Sequence, residues 1–356
     1  MPLKKEIGGK YNLPFKILWS KKRNKLSKKY IYLGSGRDSI ELIIRALNIK
    51  KGDNILLPSY LCESIMDQFK KNKINIIFYK VNKNLIVDLK NIQNKIKNKK
   101  IKAIIIIHYF GFIQPKIEKI NKFCEKNNII LIEDIVQSAL TKYKPRGKIY
   151  FNSYRKILPI PEGSTLNFEF KLKRIPNKKS FTHFLFVYSG FLATLLKNIP
   201  LLEKLSHHLV DYNEKKLINY PKPAKMSKIS KFLLKKQDMD KIAIIRRRNF
   251  KFLLGYLNKN KNIKPLFSTL PNNVVPLDFP IILKTKEMRK NLKQVLIKNK
   301  IYPPIHWKLP KEIDKKEFRE SWDISQRILT IPADQRYKLK DMERIIKIIK
   351  KENKNG

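Results

Sequence analysis

The sequence predicts an α/β protein: a mostly parallel central sheet flanked by helices, with a smaller α+β lobe at the C-terminal end. Three observations predict it. From about residue 30 to 155, strand-like apolar runs alternate with segments of helical periodicity, the pattern of successive βα units. The run 102–108 (KAIIIIH) is apolar throughout its middle, as a strand covered on both faces requires. Beyond about residue 262 a single strand-like run lies between helical ones, as a compact second lobe would have it. A chain of 356 residues can fill a large core and two lobes. The expected division is an ordered N-terminal arm over 1–29, a large domain over 30–245 and a small one over 246–356.

The elements follow in order. RDSIELIIRAL (37–47) places Ile40, Ile43, Ile44 and Leu47 on one helical face, and KKGD (50–53) turns the chain into the short strand NILLP (54–58). INIIFY (74–79) is the next strand, residues 88–97 a basic amphipathic helix, 115–128 a helix and IILIE (129–133) a strand. Residues 181–202 are the most apolar stretch, which Pro200 and the flanking soluble pattern assign to a buried or interfacial helix rather than a membrane span. PKPAKMSKIS (221–230) reads as a linker, and 231–258 as one helix carrying Arg246-Arg247-Arg248 on a solvated face. VPLDFPIIL (275–283) is a strand; 286–299 and 339–351 are helices.

Composition narrows the function classes. With 42% hydrophobic residues the chain is globular, and two cysteines, Cys62 and Cys124, make no disulfide framework. The formal net charge is +50, from 79 Lys and Arg against 29 Asp and Glu. Lys outnumbers Arg 65 to 14 and is spread along the chain, which argues against specific nucleic-acid recognition and leaves anionic lipid or a phosphorylated substrate as the partner. The first residues are basic without an apolar core, so no signal peptide is expected. The default location is cytoplasmic, with peripheral contact to the inner face of a membrane through 181–202 and the nearby Lys197, Lys204, Lys215 and Lys216. His207-His208 and His306 lack partners at metal-ligand spacing, and no metal site is expected.

In a parallel sheet, ligands bind beyond the carboxyl ends of the strands. Gly34-Ser35-Gly36 opens a helix there and suits a phosphate, although such a turn also occurs without a ligand. His108 and Asp134 end two strands. The order is then a phosphate turn, Glu133-Asp134-x-x-Gln137, and Asn152-Ser153-Tyr154-Arg155-Lys156 before a Pro-rich turn and Gly163. Chemistry on pyridoxal 5′-phosphate (PLP) needs these parts. A buried carboxylate keeps the pyridine nitrogen protonated, a lysine holds the cofactor and moves the proton, and a cradle binds the phosphate.

These stretches, LGSGRDSIELIIRALNIKKGDNILLPSY, IIIIHYFG, LIEDIVQSAL and NSYRKILPIPEGS, resemble the DegT/DnrJ/StrS sugar aminotransferases of the type I PLP fold, in a divergent branch with an S-x-R-K-x-L-P-x-P motif. HW (306–307) and ILTIPADQRY (328–337) resemble that branch too. The resemblance implies a homodimeric PLP-dependent aminotransferase of amino-sugar and surface-polysaccharide biosynthesis. Its substrates would be a nucleotide-linked keto-sugar and an amino donor such as glutamate. It implies Lys156 as the Schiff-base lysine, Asp134 on the pyridine nitrogen, and Gln137 on the ring hydroxyl. The backbone N–H groups of Gly36 and Arg37, with the Ser153 hydroxyl, would hold the phosphate. Three departures stand out: Arg37-Asp38 follows the glycine, Cys62 replaces a stacking aromatic with Tyr60 and His108 as substitutes, and Glu162-Gly163-Ser164 replaces Asp-Gly-Gly. They leave open a second reading, a PLP-fold protein that has lost catalysis and serves as a binding or regulatory module.

Overall fold

The computed structural model describes residues 5–169, 181–197, 199–202, 205–206, 208–209, 212, 223–258 and 260–355. Lys204, His207, Lys215 and Lys216 lie outside them. A strand-like bridge, β1 (Ile7–Gly8), begins the described arm. The large sheet is built from β2 (Ile31–Leu33), β3 (Asn54–Pro58), β4 (Asn75–Tyr79), β5 (Ile101–Ile107), β6 (Ile130–Asp134), β7 (Ile149–Phe151) and β8 (Ser164–Phe168). Its order is β2-β8-β7-β6-β5-β3-β4, with β8 alone antiparallel to its neighbours. The helices between the strands are α1 (Gly36–Ala46), α2 (Glu63–Lys71), α3 (Leu89–Ile96) and α4 (Ile117–Lys126). Residues Ala103 to Ile106 of β5 are wholly buried, which explains the unbroken apolar run.

The sheet then gives way to α5 (Phe181–Leu196), α6 (Lys228–Lys235) and α7 (Met239–Leu257). Where one helix was expected over 231–258 there are two, because Asp238 caps the second by accepting from Lys241 N at 3.1 Å. The linker expected at 221–230 is correspondingly cut short by the start of α6.

The smaller sheet has the order β12-β10-β9, formed by β9 (Ile263–Pro265), β10 (Phe279–Leu283) and β12 (Ile328–Ile331), all antiparallel. The elements α8 (Lys286–Lys298), β11 (Ile301–Tyr302), α9 (Arg319–Arg327) and α10 (Leu339–Asn355) complete this lobe. The strand expected from 275 starts only at Phe279: Val275 N donates instead to Thr141 Oγ1 and Leu277 N to Phe110 O, both at 3.0 Å. These bonds tie the lobe to the crevice end of β5. Two apolar cores result, one on the large sheet and one between β10, β12, α7 and α10, and a third smaller core packs Leu13, Ile157, Ile160 and Leu233 between arm, loop and helices.

Two expectations are corrected by packing. Arg246 is no solvated residue; it is 1% exposed, and its guanidinium donates to Gln335 Oε1, Tyr11 Oη and the Leu277 carbonyl. The helix expected to be buried or interfacial over 181–202 ends earlier, at Leu196, and Phe184, Leu185, Tyr188 and Leu192 form an exposed stripe on it.

Candidate active site

The crevice lies where the sequence order points, beyond the carboxyl ends of β5, β6 and β7. Asp134 closes β6 and is 4% exposed. Its Oδ1 accepts from Val136 N at 2.8 Å. Burial pushes its carboxyl up to about 7, and the Val136 N–H and the nearby Lys156 ammonium recover only part of that. Lys156 stands at the end of the short 3₁₀ turn Tyr154–Lys156, after β7. The same ammonium, together with burial, lowers the His306 imidazole to about 4, so His306 is neutral at physiological pH. Asp134, Lys156 and His306 thus share one field, although His306 belongs to the other lobe. His306 Nδ1 lies 3.0 Å from Thr330 Oγ1.

Opposite stands the helix N-terminus. Ser35 caps α1, its Oγ accepting from Asp38 N at 3.3 Å. Gly36 and Arg37 occupy the first two helical positions, whose N–H groups have no intrahelical acceptor. A Cβ on Gly36 would meet Ser153 Cβ at 4.0 Å, so the turn and Ser153 lie side by side. The Arg37 side chain is drawn away, with Nε 3.3 Å from Asp67 Oδ2, which leaves its backbone N–H rather than its guanidinium at the turn. Gln137 is buried after β6, and its Oε1 accepts from Phe110 N at 2.7 Å, leaving the amide NH₂ to donate to a ligand.

The two substitutes for a stacking ring are closed into the core. His108 is fully buried, its Nε2 2.7 Å from Glu133 Oε2 and its Nδ1 accepting from Gln114 N at 3.1 Å. Glu133 also accepts from Tyr143 Oη and from the N–H groups of Arg146 and Gly147; burial raises its carboxyl, and these bonds hold it below the usual range. Tyr60 is fully buried and donates to the His306 carbonyl. Cys62 precedes α2, its Sγ 3.1 Å from Ser64 Oγ.

Sequence reasoning left a second polar cluster unfound. Glu162 is 2% exposed and its Oε2 lies 2.7 Å from His183 Nε2 on α5. Its Oε1 accepts from Ser227 N at 2.6 Å. A Cβ on Gly34 would fall 2.8 Å from Glu162 Oε2 and 3.0 Å from Asp38 Oδ2, so glycine is required there. Gly163 N donates to Gly34 O at 2.6 Å. Burial pushes the Asp38 carboxyl up to about 7; the Ser35 hydroxyl lowers it in part, and the Glu162 charge raises it further. Glu162, where Asp was expected, is thus built into the underside of the phosphate turn. The only signal available in advance was the glutamate itself, because its partner His183 is remote in sequence.

Beside Lys156 a cleft of about 620 Å³ opens, walled by Arg155, Leu158 and Pro161, by the inner face of α5 with Phe186 and Lys197, and by Tyr11 and Lys293. No cluster able to hold a metal ion occurs among the described residues.

Residues 23–151, which include the phosphate turn and the Asp134 strand, match the family described as DegT/DnrJ/EryC1/StrS aminotransferases. Over 113 residues it is 30% identical to a dTDP-3-amino-3,6-dideoxy-alpha-D-galactopyranose transaminase of Aneurinibacillus thermoaerophilus; the matched part is 32% of this chain and 31% of that relative. The fold extends the likeness to the whole length. Helicobacter pylori PseC, an aminotransferase involved in the biosynthesis of pseudoaminic acid, superposes with a TM-score of 0.72 at 14% identity, covering 99% of this chain and 100% of that one. The PLP form of the sugar aminotransferase Spr1654 of Streptococcus pneumoniae gives 0.70 at 15% identity, with 99% of each chain covered. The seven-stranded, mostly parallel sheet with its smaller antiparallel companion is therefore a fold that this chain shares with those aminotransferases.

Proposed function

We propose that the chain is a PLP-dependent aminotransferase that transfers an amino group to a keto-sugar, in nucleotide-linked form, from a donor such as glutamate. The single observation that carries this reading is the Asp134–Lys156 pair. Asp134 is a buried carboxylate with one backbone donor and one nearby cation, a shortfall that a protonated pyridine nitrogen would make good. The other residues fit the same group. Gly36 and Arg37 N–H and the Ser153 hydroxyl would take its phosphate, and the Gln137 amide its ring hydroxyl.

When bound, PLP supplies an electron sink for the carbon losing or gaining a proton. The protein's part is then proton placement and orientation. Asp134 holds the ring-nitrogen proton. Lys156 would anchor the cofactor through its amine, and its Nζ would hold and move the proton. His306 stays neutral beside Lys156, through burial and the field of the Lys156 ammonium. The cleft walled by Arg155, Lys197 and Lys293 is cationic, which suits the phosphates of a nucleotide-linked sugar.

The test is borohydride reduction of the PLP-loaded protein followed by peptide mapping. The label is expected on Lys156, and Lys156→Ala should lose both label and transamination. A label on another lysine overturns the assignment. A protein that stays colourless with added PLP favours the catalytically silent reading that the Glu162 departure motivated.

A further inference from the structure

The exposed stripe of α5 demands a covering. Phe184, Leu185, Tyr188 and Leu192 recur at helical spacing on one side, 44–51% exposed, while Phe186, Val187 and Ala193 are buried on the other. Contiguous exposed apolar surface of this kind marks a docking face. No helix among the described residues is long and apolar enough to cross a bilayer. Against its inner side lies the arm. Leu13 N donates to Thr194 O at 3.0 Å, and Leu13, Ile17, Leu18 and Leu26 pack in one core with Phe191 and Leu195.

The arm supplies what decides the occupant. From Lys10 to Lys29 it carries eight Lys and Arg and no Asp or Glu. Within it Phe15 and Trp19 are exposed, Trp19 by 75%. Exposed Trp, Phe, Tyr and Leu beside a run of basic residues is the composition of a surface that lies in the interface of an anionic membrane. A bilayer rich in anionic headgroups brings the sign opposite to that of the basic arm and of the chain's +50 formal charge.

We propose that α5 and the 10–29 arm form a peripheral docking surface for anionic phospholipid, the apolar stripe entering the interface and the arm contacting headgroups. Both attractions are then present at once. The basic arm acts within a Debye length, about 8 Å at physiological salt, and fades as salt rises; the apolar stripe is insensitive to salt. Since the inner side of α5 walls the cleft beside Lys156, docking and the cleft share one helix.

Co-sedimentation with phosphatidylglycerol–phosphatidylcholine vesicles, compared with phosphatidylcholine alone, tests this on the full chain. Binding to the anionic vesicles is expected at low salt, with a fraction persisting at high salt. Leu185→Glu with Leu192→Glu should abolish the persistent fraction. Lys21→Gln with Lys22→Gln should weaken low-salt binding roughly ten- to thirtyfold, from the usual contribution of each basic residue. Circular dichroism of each variant verifies its fold, since all four side chains are exposed. No binding to anionic vesicles at low salt overturns the proposal. So does complete loss at high salt, which would leave the stripe outside the membrane. A third overturning result is conversion of a dimer to a monomer by the Leu185→Glu/Leu192→Glu change in sedimentation velocity, which would give the stripe to a second copy.

Discussion

Asp134 holds its proton more tightly in the folded chain than in the unfolded one, where a carboxyl titrates near 4. Between about pH 4 and 7 the folded state therefore binds more protons. Its contribution to stability is full below that window and is lost as pH rises through about 7. A cationic ring nitrogen reverses the preference, because it favours the ionised carboxylate. The melting temperature of the PLP-free protein should fall across this window, and the fall should be smaller in Asp134→Asn, where the group no longer titrates. Added PLP should stabilise the wild type increasingly as pH rises. Equal PLP stabilisation at acidic and neutral pH would remove Asp134 from the ring nitrogen. Glu162→Gln tests the neighbouring cluster. It keeps the volume but weakens the link to His183 and removes the charge facing Asp38, so PLP affinity should drop roughly tenfold, about one charge-assisted hydrogen bond, with Lys156 still labelled. Unchanged affinity would make Glu162 a mere space-filler. Asp134 drew notice at the end of a strand and Lys156 in a motif that follows the next one. His183 and His306 did not, since a single histidine has no periodicity and both depend on partners from other elements.

At the scale of elements, periodicity located β3 to β6 and α1, α3 and α4 to within a few residues, because burial on a sheet dictates the pattern directly, and it left β2, β7, β8 and α2 unread. It failed where a connection does the work of an element. Val275–Asp278 carries the apolar signature of a strand yet spends its N–H groups on Thr141 and Phe110. The close approach there is enforced by Gly111, which has φ +101° and whose added Cβ would lie 2.3 Å from Val275 O. Gly111→Ala should therefore cost about 2 kcal/mol or more in urea unfolding, combining left-handed strain with a backbone clash. A cost below about 0.5 kcal/mol would show that the 275–278 segment shifts freely. Apolar content alone also could not tell a buried helix from a half-covered one, which is why the sequence left α5 as either buried or interfacial. Seen on the helix, the exposed residues fall on one stripe and the buried ones on the other.

For the molecule as a whole, the two-sheet plan follows from the change of pattern after about residue 260, and the single antiparallel strand β8 does not, since strand direction leaves no trace in composition. Nor could the sequence show how the arm is used. Ile7 pairs with Ile301, and Gly8 N donates to Tyr337 Oη at 2.6 Å. Asn24 N bonds Lys235 O, and Lys236 Nζ bonds Ser20 O. The arm is therefore fastened to α6 and to the far lobe.

That fastening sets a timetable. Gly8 leaves the ribosome 329 residues ahead of Tyr337, a delay of roughly 15–60 s at ordinary rates of synthesis. Throughout it, the segment carrying Phe15 and Trp19 has neither its strand partner nor its hydroxyl acceptor, while the large sheet, complete by Phe168, can already close. The small lobe's seam with the arm is then the last part of the molecule to be sewn. Nascent chains stalled before residue 301 should be cut by trypsin first at Lys21–Arg23, and chains released after Tyr337 should lose that sensitivity. A nascent chain whose arm is protected while the small lobe is still missing would mean that α6 alone suffices to hold it.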